Sequence, residues 1–195
     1  MVGAATMTSR VLGLVREQVM AAWFGAGLAP DAFNVAFRIP NLLRDLFAEG
    51  AMSSAFVPKF MEVQAHRGPE AALEFGRRLL LSLVVFLSAV CLVGGLAAPW
   101  LVTVFAPGFA SIPGKVELTV ALTRVMLPFL PLIAAAAVCM AMLNARGRFL
   151  VPALAPALQN LLIAGAGLAL IPACLAAGWP AIAAMATGVV IGGLG

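Results

Sequence analysis

Eight charged side chains fall within the first fifty residues, in stretches that are otherwise apolar. Arg10, Arg16 and Glu17 interrupt one stretch, Val2–Gly25. Asp31, Arg38, Arg44, Asp45 and Glu49 interrupt the next, Leu28–Phe60. Arginine suits phosphate oxygens, because its planar fork donates two parallel hydrogen bonds and never loses its charge. The carboxylates beside these arginines are rivals for the same donors. On a helix, Arg10 and Glu17 are seven residues apart and share a face, with Gly13 between them. Arg16 lies about 100° round from Glu17. Asp31, Arg38 and Asp45 recur every seven residues and form a stripe. Glu49 follows one turn after Asp45, and Arg44 stands about 100° to the side.

A charge at the centre of a bilayer costs about 2.5–3.5 kcal/mol on the insertion scale. Arg10, Arg16 and Glu17 together would cost roughly 7–10 kcal/mol if they faced lipid. They must face water or one another. Two readings remain for such residues. They are ion pairs between helices, or charges snorkelling to the membrane faces; or they line a cationic cavity for an anionic substrate. Snorkelling competes best at Arg10 and Arg38. The cavity is the stronger reading for Arg16, Glu17 and Arg44.

The elements that must carry these residues are membrane helices. Of the 195 residues, 63% are hydrophobic and 10% charged, against roughly 25% charged in a soluble domain. The mean hydropathy is +1.07. This excludes a disordered chain, a coiled coil and an ordinary soluble enzyme. Leu79–Phe105, Val125–Ala145 and Phe149–Gly195 carry no charge at all. A crossing needs about 20 apolar residues. The expectation is an all-α polytopic transmembrane bundle of about six helices, near 1–25, 29–61, 76–105, 116–145, 150–172 and 179–195, forming a single domain. Pro40, Pro58, Pro128, Pro131, Pro152 and Pro156 are placed to kink them. The last run stops at Gly195 inside a helix, which suggests a chain truncated at its C-terminus.

Lys59, Arg67, Arg77 and Arg78 follow the second helix, and Arg146 and Arg148 follow the fourth. The intervening turns hold only Lys115. Basic loops stay in the cytoplasm, so the N-terminus is expected there too. The same rule accounts for the net charge of +4, so no nucleic-acid partner is expected. Glu62–Arg78 is amphipathic, suited to the inner membrane surface or to a solvated loop helix. Arg124 reads as a snorkelling side chain. Gln159 and Asn160 read as bonds between helices, with cavity lining as the alternative.

No catalytic set emerges. A single histidine, His66, excludes two-histidine metal chemistry. Cys91, Cys139 and Cys174 lie in apolar runs without a CxxC pair and read as small core residues. No cofactor or metal is expected.

The charged helices also carry a family resemblance. Ser9-Arg10-Val11-Leu12-Gly13-Leu14-Val15-Arg16-Glu17 resembles the first helix of the MurJ (MviN) lipid II flippases. So do Phe24–Gly27, Asp31-Ala32-Phe33, and above all Ala36-Phe37-Arg38-Ile39-Pro40-Asn41-Leu42-Leu43-Arg44. The block continues through Leu46–Ala51 and Ala55–Pro58. Ala98-Pro99-Trp100, Ala106–Phe109, Asn144–Phe149 and Pro152–Pro156 extend the likeness over nearly the whole chain.

The resemblance implies the N-terminal lobe of a MurJ/MATE-like transporter, in the multidrug/oligosaccharidyl-lipid/polysaccharide exporter superfamily. It implies a site of the bacterial cytoplasmic membrane. It also implies a second lobe in the full-length chain and lipid II as the partner carried from inner to outer leaflet. By motif, Arg10, Arg16 and Arg44 take the place of the family's cavity arginines. Glu17, where the family often has aspartate, is the acid beside them. Asp31 and Glu49 match acids associated with gating. Asp45 replaces what is often a basic residue. The expected mechanism is alternating access, with the lipid diphosphate displacing acids from the arginines. Export of another polyprenyl-linked saccharide or small molecule, and a non-transporting scaffold for cell-wall enzymes, are the alternatives.

Overall fold

The computed structural model describes residues 2–25, 27–44 and 55–194, without the side chains of 2–6, 43 and 44. Every regular element among them is a helix. In order they are α1 (Val2–Phe24), α2 (Leu28–Arg44), α3 (Val57–Phe105), a 3-10 turn (Pro107–Ser111), α4 (Lys115–Met126), α5 (Phe129–Ala145), α6 (Leu150–Ala176) and α7 (Ile182–Gly192). Among the described residues, three stretches are long and apolar enough to cross a membrane: Val57–Phe105, Lys115–Ala145 and Leu150–Ala176. Leu81, Val85, Leu92, Val93, Leu96 and Trp100 project outward from α3. Such a continuous apolar face is a surface for hydrocarbon, not for water.

The bundle closes around α7. Ile182, Ala183, Ala184, Met185, Ala186 and Val189 are all buried, as a helix apolar on every side must be. Its main neighbour is α6. A Cβ at Gly188 would stand 2.6 Å from the Ile163 carbonyl oxygen, so only glycine lets the two backbones meet there. Around this pair, α1 lies on α6 and α2 on α4. Ala32, Phe33 and Ala36 of α2 join Leu122, Met126, Phe129, Ile163 and Met185 in the main core. The Phe37 ring lies 6.1 Å from that of Phe129. The α2 positions 32, 36 and 39 are buried in turn, the spacing of a single helical face.

One boundary differs from the sequence expectation: helix already runs from Val57, well before residue 76, interrupted at Gly68. Of the expected helix 29–61, residues 45–54 lie outside the described residues. The charged stretch is held as helix mainly by its buried stripe, and ion pairs along the helix add less. Lys59 bonds Glu62, and Arg78 bonds Glu74, each at 2.8 Å. Phe60 and Ala72 bury a stripe against Val138 and Ala141 of α5. That stripe packs against protein rather than on a membrane surface. Gly68, at φ +84°, followed by Pro69, kinks the helix in this stretch.

Proline governs the α3–α4 seam. Pro99 has no N–H, so it cannot bond the carbonyl of Gly95 one turn earlier. Arg124 supplies the missing donor, its Nε lying 2.9 Å from that oxygen. Arg124 therefore has a partner across the seam and does more than snorkel. The mirror arrangement lies nearby. Pro131 cannot serve the Leu127 carbonyl, which receives the Leu130 N–H at 3.0 Å and the Cys91 thiol at 3.0 Å. Lipid supplies no donors, so neighbouring helices must satisfy carbonyls that proline leaves free. At Leu127 and Pro128, whose backbone stays helical, the expected helix 116–145 bends into α4 and α5, which together make one 31-residue span.

Candidate functional site

A cavity of about 380 Å³ opens between α1, α2, α6 and α7. Arg16 and Glu17 of α1 form its polar wall with Asn34 of α2. Phe33, Phe37, Ile163 and Met185 form its apolar wall. The Arg16 side chain is 25% exposed and the Glu17 side chain 69%. Arg16 Nη2 lies 3.6 Å from Glu17 Oε1. Its other terminal nitrogen, Nη1, donates to Asn160 Oδ1 of α6 at 3.3 Å. Asn160 Nδ2 in turn donates to the Ser9 carbonyl of α1 at 3.4 Å.

This arrangement follows from local sequence. α1 needs an apolar face towards α6, and Gly13 leaves room there for the Asn160 amide, 3.7 Å from the position of a Cβ. Arg16 is three residues on, almost one turn along the same face. Guanidinium carries five donors. Asn160 takes one of them and Glu17 stands at ion-pair distance from Nη2, which leaves donors for an anion in the cavity. Phosphate oxygens are the natural acceptors for such a fork.

The other expected residues are distributed as follows. Arg10 and Arg38 are exposed and do not line this cavity. Arg44 ends α2, and its side chain lies outside the described residues. Asp45 and Glu49 lie outside them entirely. Asp31 sits in the first turn of α2 and accepts a 2.8 Å bond from Lys115 Nζ. Lys115 opens α4, and its side chain is 6% exposed. A buried ammonium at the positive end of a helix is doubly unfavourable. The Asp31 carboxylate offsets this, and so does the Phe109 ring, whose centroid lies 4.2 Å from Nζ. Asp31 therefore ties the N-terminal ends of α2 and α4, outside the cavity lining.

Sequence reasoning missed two participants. Asn34 is one turn from Asp31 and was legible as a polar residue on a mostly apolar helix. Lys115 read as an ordinary turn charge; its burial depends on the distant Asp31, which no local pattern reveals. A second, wholly apolar groove of about 540 Å³ lies between α2 and α3, lined by Ile39, Leu42, Phe86 and Val93 among others. It has no groups for recognising a charged headgroup. Among the described residues no cluster of His, Cys, Asp and Glu has the makings of a metal site.

Comparison with known proteins bears on the same helices. The family model described as lipid II flippase MurJ matches residues 20–194. The "Probable lipid II flippase MurJ" of Rhizobium meliloti (strain 1021) is 42% identical over 164 residues, covering 83% of this chain and 30% of that protein. The "Lipid II flippase MurJ" of Burkholderia cenocepacia is 39% identical over 171 residues, 88% of this chain and 33% of that protein. A solved structure titled "Lipid II flippase MurJ, inward closed conformation" superposes with a TM-score of 0.79 at 28% identity. It covers 99% of this chain, which in turn covers 39% of it. The chain thus spans about a third of the length of the curated relatives it matches. The match runs from within α1 to the end of the described bundle and includes the apolar helices that make this a membrane protein. The chain belongs to the lipid II flippase MurJ family.

Proposed function

We propose that the protein carrying this chain moves lipid II, the undecaprenyl-diphosphate-linked peptidoglycan precursor, from the inner to the outer leaflet of the bacterial cytoplasmic membrane. The observation that carries the reading is the half-buried Arg16, held at a cavity wall beside a loosely paired Glu17. The diphosphate enters from the inner leaflet and pairs with Arg16, with Arg10 and Arg44 contributing positive charge. Glu17 is the group it displaces. An ion pair this long, with its acid 69% exposed, is worth about 0–1 kcal/mol, so displacement costs little, and a doubly charged anion has more to gain. Binding shifts the bundle towards the outward-open state only as far as the diphosphate prefers that state. The undecaprenyl tail stays in hydrocarbon throughout. Asp31 and Glu49 act at the gates. The role is that of a transporter, not of an enzyme.

The orientation follows from charge. Lys59, Arg67, Arg77 and Arg78 at the start of α3, and Arg146 and Arg148 after α5, lie on the cytoplasmic side. The N-terminus lies there as well, and the Lys115 end of α4 faces outward.

The test is Arg16→Ala and Arg44→Ala in the full-length protein, at matched protein levels, in cells that depend on it. The readout is the share of lipid II in the outer leaflet, where an externally added lipid II-cleaving enzyme reaches it. Both variants should leave lipid II in the inner leaflet. Normal outer-leaflet lipid II in both would refute the assignment.

A further inference from the structure

We infer that Asn160 is the positioning residue for the Arg16 guanidinium, and that it must be neutral to do this work. The inference rests on the proposed role of Arg16 and goes further, to what aims that side chain. Asn160 sits on α6, yet both its amide atoms are engaged by α1. Oδ1 accepts from Arg16 Nη1 at 3.3 Å, and Nδ2 donates to the Ser9 carbonyl at 3.4 Å. The orientation of the amide is fixed by its partners. Guanidinium can only donate, and a carbonyl can only accept. A side chain of this length needs one acceptor and one donor on the same carbon, which asparagine has and aspartate and leucine lack.

The two bonds do different things. The bond to Ser9 anchors the amide to the α1 backbone one helical step from Gly13, where no side chain intervenes. The bond to Arg16 then holds one end of the guanidinium against α6 and turns the rest towards the cavity. Glu17 holds the other end at 3.6 Å. The contrast in charge is what matters. Glu17 neutralises Arg16 until an anion replaces it. Asn160 keeps hold of Arg16 without neutralising it, so the cation stays aimed when Glu17 has let go. Orientation fixed before binding lowers the entropy lost on binding. The ligand class is a lipid with a diphosphate headgroup.

The experiment uses the purified full-length protein and undecaprenyl diphosphate as probe, with undecaprenol, which has the tail and no diphosphate, as control. Asn160→Leu, close in size and lacking both bonds, should weaken diphosphate binding about five- to tenfold. In an Arg16→Ala background the same substitution should change nothing further. Asn160→Asp keeps the acceptor but puts a fixed negative charge beside the guanidinium, so it should also weaken binding, and more steeply. Undecaprenol should bind all variants alike. An unchanged affinity in Asn160→Leu, or an equal loss with and without Arg16, overturns the inference and leaves Asn160 a packing residue. If Asn160→Leu does not fold, Asn160→Asp decides: binding as tight as in the parent overturns the inference. If Arg16→Ala alone leaves diphosphate binding intact, the proposed function fails and the inference falls with it. If Arg16→Ala weakens binding and Asn160→Leu does not, the proposed function stands and only the inference fails.

Discussion

At the scale of single residues, charges in this chain are placed by their partners. Asp31 and Lys115 illustrate this. Removing the acid with Asp31→Asn leaves a 6%-exposed ammonium without a counter-charge. The expected cost is about 1–3 kcal/mol, the range for losing a partner of a charged hydrogen bond. The reversed pair, Asp31→Lys with Lys115→Asp, should recover part of it, because aspartate then sits at the positive end of α4. Thermal unfolding of the full-length protein in detergent measures both. Equal stability of Asp31→Asn and the parent would show that the bond contributes nothing. Arg16 and Glu17 were legible in the sequence because charge inside an apolar helix demands an explanation. Adjacent residues also had an obvious way to pair. Lys115 was not legible. Its position in a turn fits a solvated charge, and only the packing of α2 on α4 buries it.

At the scale of elements, the prolines can be read in advance but their compensations cannot. Pro99 announces a carbonyl without its donor, at Gly95, from the chain alone. That Arg124 fills the vacancy depends on which helix lies alongside. Arg124→Leu should destabilise by about 1 kcal/mol, within the range measured for hydrogen bonds between membrane helices. In a Pro99→Ala background the backbone donor returns, so the same substitution should cost much less. A double-mutant cycle by unfolding in detergent decides it, and strict additivity would mean that Arg124 does not serve Gly95. Gly188→Ala belongs to the same scale. A methyl group 2.6 Å from the Ile163 carbonyl must push α6 and α7 apart, at a cost of about 1–3 kcal/mol. No loss of thermal stability would contradict that close approach. The helices at 116–145 and 150–172 were plain from the charge-free runs Val125–Ala145 and Phe149–Gly195. The start of α3 was legible as an amphipathic helix over Glu62–Arg78, but not its place: the packing of Phe60 and Ala72 on α5 depends on a distant helix.

At the scale of the whole molecule, the described bundle is an apolar body with a polar cavity between α1, α2, α6 and α7. Composition alone dictates the bilayer, and the spacing of charges alone points to a polar interior. What spacing could not supply is the division of labour within that interior. The stripe of Asp31 and Arg38 suggested that α2 contributes charge to the cavity. In the structure α2 turns Phe33, Asn34 and Phe37 towards it, and Asp31 goes to α4. Helices α1 and α2 barely touch; each is placed by another partner, α6 or α4, which a helical wheel cannot foresee. The cavity thus presents Arg16 as its cation among described side chains, and the account stands on that residue. The most direct measurement is lipid II binding to the purified full-length protein and to its Arg16→Ala and Glu17→Gln variants. Loss of the guanidinium should weaken binding at least tenfold, and loss of the competing carboxylate should strengthen it. Unchanged binding in Arg16→Ala would contradict the account.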